Sequence, residues 1–307
     1  MVDPVKLANY KEDHCYQYEM RQQNYEEDLR EYGLDQEYVD NLRVSDFYFK
    51  YETHPDAKSE MKKFIVRHEW LGTTTFSTSH WFACYHDIEW FGITRPVLAG
   101  VILMSMPNMF STMLGPDTDK LERLISRGAC ISWSPKNLAS SFMSWSMKYM
   151  VKTTPYRLFT AYSDPAAKEL GTIYQALGFY YLGQKFGTQT RLVNPYTGSN
   201  VSDRWFRTTN AYRRFAKDLM IPWQKEWMSD TTLGIDWAKV PDDIEQKLRD
   251  YSKKMEKDAD VIQLPPKMKY AFVLGENKKE TRELRKKFEE MNKTYPYPKN
   301  RGAVNAS

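Results

Sequence analysis

Three short stretches within residues 134–183 decide the fold: Ser-Pro-Lys-Asn-Leu-Ala-Ser-Ser-Phe-Met at 134–143, Tyr-Ser-Asp-Pro at 162–165 and Gly-Thr-Ile-Tyr-Gln-Ala at 171–176. The first is typical of a helix start, because serine can cap a helix and proline suits its first turn. The second ends an apolar strand in an acid, and the third opens another helix. This order predicts that four polar side chains lie near one end of a sheet: Asn137, Ser140, Asp164 and Tyr174.

The sequence on either side of these stretches contains several apolar runs typical of strands. Runs at 64–67, 81–85 and 97–104 are joined by short loops with Gly72, Asp87 and Gly92, which predicts an antiparallel meander. Further strand candidates, at 129–133, 156–162 and 179–182, alternate with helices. A meander followed by strand, helix, strand, helix and strand predicts an α+β fold, with a mixed central sheet in an acyltransferase-like core.

Charge and composition divide the chain into three predicted parts. Residues 1–60 form an acidic helical segment with 15 acidic and 7 basic residues, whereas the whole chain carries a net charge of +4. Residues 61–200 are expected to form the catalytic core, and 201–307 an aromatic and basic helical extension with a closing strand and helix. The uneven charge permits a polyanionic partner and is also common on an ordinary solvated surface. We expect the acidic segment to be accessory to the chemistry.

The composition favours a soluble cytoplasmic protein. Hydrophobic residues make up 41% of the chain, enough for a substantial core. The three cysteines are far apart and form no Cys-x-x-Cys motif, which fits a reducing compartment. The amino-terminal residues show no signal-peptide pattern, and the longest apolar run, 96–106, is too short to span a membrane. No membrane partner is therefore expected.

The first candidate binding site is the turn that precedes the predicted helix at residue 138. Backbone N–H groups at a helix start can hold an anion, so we expect Lys136, Asn137 and Ser141 to bind a cofactor or donor. Plain helix capping explains the same residues. Asp164 precedes a proline, which is also typical of a structural turn. Its pairing with Tyr174, a candidate proton donor near the same sheet edge, favours a catalytic role.

Histidines offer a candidate metal site that the sequence leaves open. His68 is followed by Glu69, and His80 and His86 come later in the chain. The spacing matches no established ligand motif, and strand residues at odd offsets face opposite sides of a sheet. Ordinary packing of these histidines is the alternative.

Two clusters of basic residues are candidates for nucleic-acid binding. The first interleaves arginines with aromatic residues, a pattern suited to phosphate contacts and base stacking: Arg204, Trp205, Arg207, Tyr212, Arg213 and Arg214. The second lies in a predicted helix at 278–291 and is diluted by glutamates, which is typical of a solvated helix. The first cluster is therefore the predicted DNA-binding surface.

Taken in order, these motifs resemble the phage Mom family. The resemblance is carried by Pro-Lys-Asn-x-x-Ser at 135–140, Tyr-x-Asp at 162–164 and Gly-x-Ile-Tyr-Gln-Ala at 171–176, and extends to Tyr181 and Gly183. It also covers the closing strand from Lys269, the basic helix and Tyr-Pro-Tyr-Pro-Lys at 295–299. The resembling segments are roughly 63–190 and 267–300.

The resemblance implies a variant of the GNAT acyltransferase fold that converts adenine in double-stranded DNA to an N6-carbamoylmethyl form resistant to restriction. It implies functional roles for Ser140, Asp164 and Tyr174, and a small-molecule group donor such as acyl-CoA. It implies iron, linked in some members to a His-Tyr pair, but the corresponding neighbourhood here reads His68-Glu69-Trp70. Two alternatives stay open: an acetyltransferase acting on a protein or small amine, and a non-catalytic DNA-binding protein on the same scaffold.

Overall fold

The chain folds into two compact units. The computed structural model describes residues 15–74, 77–90, 92–107, 112–184, 189–229 and 234–298. Met1–Phe186 and Pro266–Ser307 form the core unit, and Gly187–Pro265 form the insert unit. These boundaries differ from the predicted divisions at 60 and 200, because the chain returns to the core unit for its last strand and helix.

Helices and strands alternate through the core unit. Its helices are α1 (Tyr16–Tyr32), α2 (Gln36–Asn41), α3 (Pro55–His68), α4 (Leu138–Thr153), α5 (Thr172–Ala176) and α8 (Lys278–Met291). Its strands are β1 (Phe47–Tyr51), β2 (Thr78–Trp90), β3 (Ile93–Ser105), β4 (Glu122–Cys130), β5 (Leu158–Ser163), β6 (Tyr180–Gln184) and β10 (Met268–Val273). No helix among the described residues is long and apolar enough to cross a membrane.

The core strands form one seven-stranded sheet in the order β1-β2-β3-β4-β5-β10-β6. Neighbouring strands run antiparallel except β4 and β5, which are parallel and are connected through α4. The long β2–β3 hairpin contains two of the three runs of the predicted meander, 81–85 and 97–104, and β10 and α8 are the predicted closing strand and helix. The α+β prediction with a mixed sheet is thus confirmed.

Helix α4 covers the sheet with an apolar face. Four side chains are at most 4% exposed, and their spacings of one, four and three residues place them on one side of the helix: Phe142, Met143, Met147 and Met150. The same core contains Trp133, at 1% exposed. Burying each such side chain contributes about 1.5–3 kcal/mol, so this face fixes the helix between the two parallel strands.

The run at 64–67 is helical, so the predicted strand there is wrong. It lies in the last turns of α3, which begins with a proline in its first turn and is capped by the His54 side chain. The buried residues of this helix are three, one and three positions apart, which places them on one helical face: Met61, Phe64, Ile65 and His68. Four consecutive residues were too short a window to separate a helical face from a strand.

The insert unit has its own small sheet and core. Its strands are β7 (Gln189–Val193), β8 (Asn200–Val201) and β9 (Val261–Leu264), in the order β8-β7-β9. Its helices are α6 (Thr209–Asp218) and α7 (Asp242–Asp258). Phe206, Phe215 and Leu248 are fully buried at its centre, so this unit buries an apolar core of its own.

Candidate functional site

A cavity of about 420 Å³ lies between β4 and β5, where the two parallel strands part. The strands pair only from Glu122–Leu158 to Leu124–Thr160. Beyond that point, among the described residues, β4 is paired only with β3, and β5 only with β10. The edges of β4 and β5 that face each other therefore form no ladder there. Parted edges leave room for a ligand between two strands. The polar side chains that line the cavity include Glu69, Trp70, Arg127, Tyr162, Asp164, Lys168, Glu169, Tyr174 and Lys267.

Asp164 lies at the end of β5 and faces this cavity. One carboxylate oxygen accepts a hydrogen bond from the Ala166 backbone N–H at 3.0 Å, as a cap of the following turn. The other lies 3.2 Å from the ammonium group of Lys267, which immediately precedes β10. Because β10 pairs with β5, the sheet register itself places this lysine beside the aspartate.

Glu169 fixes the backbone that carries Asp164. Its carboxylate accepts the Asp164 N–H at 3.0 Å and the indole N–H of Trp70 at 2.9 Å. Burial raises the pKa of Glu169, and the neighbouring Asp164 carboxylate acts in the same direction against these two hydrogen bonds. Two carboxyl groups thus share one wall of the cavity.

Glu69 adds a third carboxyl group, and it is only 8% exposed. It accepts the Gly72 N–H at 3.0 Å, and its nearest cation is Arg127, whose Nε lies 3.9 Å away. Burial raises the pKa of Glu69 to about 7, against the opposing effect of Arg127, while Glu169 raises it further. A carboxyl group that titrates near neutral pH can accept and release a proton during turnover.

Tyr174 lies in α5, on the same cavity. Its ring packs against Phe179 and Tyr270, with centroids 5.3 and 5.2 Å away. Burial raises the pKa of Tyr174, and the Glu169 and Glu69 carboxyl groups raise it further. The phenol therefore keeps its proton at neutral pH.

The predicted residues at the start of α4 do not join this cavity. Ser140 donates its hydroxyl hydrogen to the Asn137 carbonyl at 3.0 Å, which is a local bond within the helix start. Ala139, Phe142 and Met143 are the α4 residues that line the cavity among those described. The lining does not include Lys136, Asn137, Ser140 or Ser141. The structure thus brings together two of the four residues expected at one place, Asp164 and Tyr174, because the turn of α4 points the other side chains elsewhere.

Helix α1 forms another wall of the cavity, which corrects the expectation of an accessory segment. Gln17 donates to the His68 carbonyl at 2.6 Å and accepts the Trp70 N–H at 3.1 Å. Arg21 donates to the Ser132 carbonyl at 2.8 Å and also to that of Ser134. These contacts use polar side chains, so the weak apolar stripe of the helix gave little sign of them.

The candidate histidines are separate from one another and from the cavity. His68 lies 3.7 Å from the Asp28 carboxylate, His80 contacts the Tyr51 hydroxyl at 3.1 Å, and His86 contacts that of Tyr38 at 2.8 Å. Burial lowers the pKa of His68 and of His80 to about 4. In the part of the chain that the structure describes, no three His, Cys, Asp or Glu side chains converge as a metal site. These residues do not fit the iron that the resemblance implies.

The predicted DNA-binding cluster lies in the insert unit and is partly engaged. Tyr212 is 5% exposed and packs against Trp237, so its ring is not available to stack on a base, contrary to prediction. Arg207 is bound by both oxygens of Glu256, at 2.9 and 3.0 Å. Of the remaining members, Trp205 is half-buried, and three arginines are exposed: Arg204, Arg213 and Arg214.

The sequence did not indicate that Arg127, Glu169 and Lys267 line the cavity, and it named Glu69 only as part of a candidate metal site. The only local signal was a charge beside or within an apolar strand, as at Arg127 in β4. Trp70 and Glu169 are 99 residues apart, so their contact depends on the fold.

The protein has a mixed α+β fold with a cavity, lined by acidic and basic side chains, where two parallel strands part. The sequence model of the Mom protein family matches residues 57–232, which is more than half of the chain. The chain belongs to the Mom protein family. Membership implies a phage DNA-modification protein with DNA as its substrate, and hence an enzymatic activity. No curated protein matches the chain.

Proposed function

We propose that this chain attaches a small acyl-derived group, similar to carbamoylmethyl, to a nucleobase amine in double-stranded DNA, with adenine N6 as the target. It would act in the cytoplasm of the infected host cell and protect phage DNA from restriction. One observation carries the proposal: a chain of a DNA-modifying family has Asp164, Glu69 and Tyr174 on the wall of a single cavity.

The chemistry of a base amine accounts for the carboxyl groups. The amine is a weak nucleophile because its lone pair is delocalised into the ring. In the transfer, a bond forms between its nitrogen and the carbon of the incoming group, and the bond from that carbon to the donor's leaving group breaks. One amine proton must leave. Asp164 is held by Lys267 and is suited to orient the amine by accepting its N–H. Glu69, with a pKa of about 7, is suited to take the proton.

Tyr174 and the cations serve the other side of the transfer. A tyrosine whose pKa is raised keeps its proton, so Tyr174 is suited to hold the donor's leaving group by a hydrogen bond. Arg127 and Lys267 balance the carboxylates on the same wall, which limits the cost of holding several acids together. The target base would have to leave the duplex to reach the cavity, at a cost of a few kcal/mol.

The group donor is proposed to be an acyl-CoA or a related acyl donor. Helix α4 begins beside the cavity, and its first-turn N–H groups together with Lys136 suit an anionic part of such a donor. Asn137, Ser140 and Ser141 would then contact the donor outside the cavity itself. In this arrangement the reactive carbon alone enters between the two strands.

Mass spectrometry of nucleosides from plasmid DNA tests the proposal. Cells that express the chain should yield a deoxyadenosine heavier by the transferred group, and cells with an empty vector should not. An acetylated protein or small amine without modified DNA, together with stabilisation by acetyl-CoA, would identify an acetyltransferase instead. DNA binding without either product would identify a non-catalytic DNA-binding protein.

A further inference from the structure

A second, larger cavity of about 1080 Å³ lies on the core unit between the end of α4 and the start of α8. Six of its lining side chains are basic, and two are acidic. The basic ones are Lys148, Lys152, Lys278, Arg282, Arg285 and Lys286, and the acidic ones are Glu276 and Glu289. We refer to this surface as the basic groove. Its residues come from two helices, so its charge is not confined to one helix terminus.

The acidic side chains of the groove are already engaged. Glu276 is paired with Arg157, a largely buried arginine that also binds Glu280 at 2.7 Å. Glu289 accepts a hydrogen bond from the hydroxyl group of Tyr180. Glu276 is thus paired with a cation outside the groove lining, and among the described residues Glu289 forms no ion pair with a basic side chain of the groove.

Most of the basic side chains remain available. Lys148, Lys152, Lys278 and Arg282 are exposed and form no ion pair with any residue that the structure describes. Lys286 has a loose contact of 3.9 Å with Glu290. Arg285 is structural, because its Nε donates to the Val273 carbonyl at 3.2 Å. Five of the six cations can therefore contact a ligand.

The basic residues of α8 follow the period of a helix. Lys278, Arg282 and Lys286 are four residues apart and share one face, whereas Lys279 and Lys287 are exposed but lie outside the groove. From 278 to 286 the helix rises about 12 Å. Each strand of a duplex carries one phosphate per about 3.4 Å of the duplex axis, so about 12 Å of that axis carries about three or four phosphates of one strand. A row of cations of this length suits a polymer of phosphates better than a single anion.

We propose that the basic groove holds the phosphate backbone of duplex DNA, as the principal DNA contact of the core unit. This inference rests on the proposed function. It differs from the sequence-based prediction, which assigned DNA binding to the arginine and aromatic cluster of the insert unit. Helix α4 reaches both sites, since residues 139–143 line the catalytic cavity and residues 148–152 line the groove. DNA bound in the groove is thus within one helix length of the cavity that takes the base.

The test is the salt dependence of binding to a fluorescently labelled 20-base-pair duplex, measured by anisotropy with the full chain. Lys152→Gln/Arg282→Gln removes two groove charges, and Lys279→Gln/Lys287→Gln removes two charges of α8 that do not line the groove. Each lost phosphate contact should lower the slope of log K against log salt by about 0.9. We expect a loss of about 1.8 in the groove variant and no change in the control. Melting temperatures of both variants should equal that of the wild type.

Further measurements distinguish a failure of the groove assignment from a failure of the proposed function, and they distinguish the groove from other DNA-binding surfaces. If the wild type binds duplex DNA and the groove variant keeps its slope, the groove assignment is wrong and the proposed function stands. If Arg213→Gln/Arg214→Gln alone lowers the slope, the insert unit is the contact. Loss of binding to anionic lipid vesicles in the groove variant, with DNA binding intact, would make the groove a membrane surface and overturn the proposal. A wild type that binds no DNA at low salt would contradict the proposed function itself.

Discussion

The indole N–H of Trp70 lies 2.9 Å from a carboxylate oxygen of Glu169, and the two residues are 99 positions apart in the chain. The other oxygen of Glu169 accepts the backbone N–H of Asp164 at 3.0 Å. The segment after α3 thereby positions the aspartate after β5, through one shared carboxylate. Trp70 acts in this account as a positioning residue, since it reaches Asp164 only through Glu169.

Trp70→Phe should lower the rate of DNA modification about tenfold. The substitution keeps an aromatic ring but leaves a partly buried carboxylate without one of its donors, which typically costs about 1–3 kcal/mol. The measurement is the amount of modified nucleoside formed per unit time at equal protein level. Trp223→Phe is the matched control, because the buried Trp223 N–H has no hydrogen-bond partner among the described residues. Equal rates for Trp70→Phe and wild type would remove Trp70 from the account.

Glu69 should impose a pH dependence on folding stability. Its pKa is raised from 4.5 to about 7 in the folded chain, so between these pH values the unfolded chain loses its proton while the folded chain keeps it. The contribution of the protonated Glu69 carboxyl group to folding stability is complete below pH 4.5 and is lost as the pH rises through about 7. A shift of this size corresponds to about 3 kcal/mol.

Urea denaturation of wild type and Glu69→Gln from pH 4.5 to 8 measures this effect. Over that range the free energy of unfolding of the variant should rise relative to that of the wild type by about 3 kcal/mol, because glutamine does not titrate. The comparison between two proteins is essential, since the lowered pKa values of His68 and His80 give both chains an opposite slope between about 4 and 6.5. A constant difference between the two chains would show that the Glu69 carboxyl group titrates at an ordinary pH.

Asp28→Asn should destabilise the chain by about 2 kcal/mol. Asp28 is fully buried, and its carboxylate accepts from Arg67 and from the Ser132 hydroxyl, each at 2.6 Å. Breaking a buried ion pair costs about 3–5 kcal/mol, and Arg67 keeps a second partner, Glu31, which reduces the loss.

Chemical denaturation of the Asp28→Asn variant and the wild type measures this loss of stability. Glu27→Gln is the control, because Glu27 is exposed and 4.0 Å from the same arginine, so its loss should cost under about 1 kcal/mol. Equal effects would mean that α1 is not fixed by this pair.

Gly171→Ala should impair both folding and modification. Gly171 has a φ of 66°, and an added Cβ would lie 2.6 Å from the Tyr270 ring and 3.0 Å from that of Tyr174. Gly178 has a similar φ of 73° with nothing within 4 Å of such a Cβ. Gly178→Ala therefore carries only the left-handed strain of about 1–2 kcal/mol. Thermal unfolding and nucleoside yield should both show the larger loss for Gly171→Ala. Equal losses would show that close packing at α5 is unimportant to the site.

Local signals made Asp164 and Tyr174 predictable, because a strand ending in an acid and a glycine before a helix are visible within a few residues. The rest of the cavity depends on the register between distant segments. Lys267 reaches Asp164 only because β10 pairs with β5, and no pattern of spacing carries that information.

Prediction from the sequence was also poor for elements that are attached to the core by polar side chains instead of apolar packing. Helix α1 shows only a weak apolar stripe, yet Gln17, Arg21 and Asp28 attach it to the core through hydrogen bonds and an ion pair. At the start of α4, the predicted place of Ser140 in the cavity differs from the observed one. Ser140 belongs to a motif that carries the family resemblance, but its hydroxyl group donates to the Asn137 carbonyl within the helix start.

The yield of modified deoxyadenosine from cells that express Asp164→Asn or Tyr174→Phe tests the central claim most directly. Both substitutions are nearly isosteric, so melting temperatures close to that of the wild type should accompany them, and a lost product then reports chemistry. The account predicts at least a hundredfold loss of modified nucleoside for Asp164→Asn, because Asp164 orients the attacking amine, and about tenfold or more for Tyr174→Phe, because Tyr174 hydrogen-bonds the leaving group. Wild-type yields from both folded variants would contradict the assignment of this cavity as the site of DNA modification.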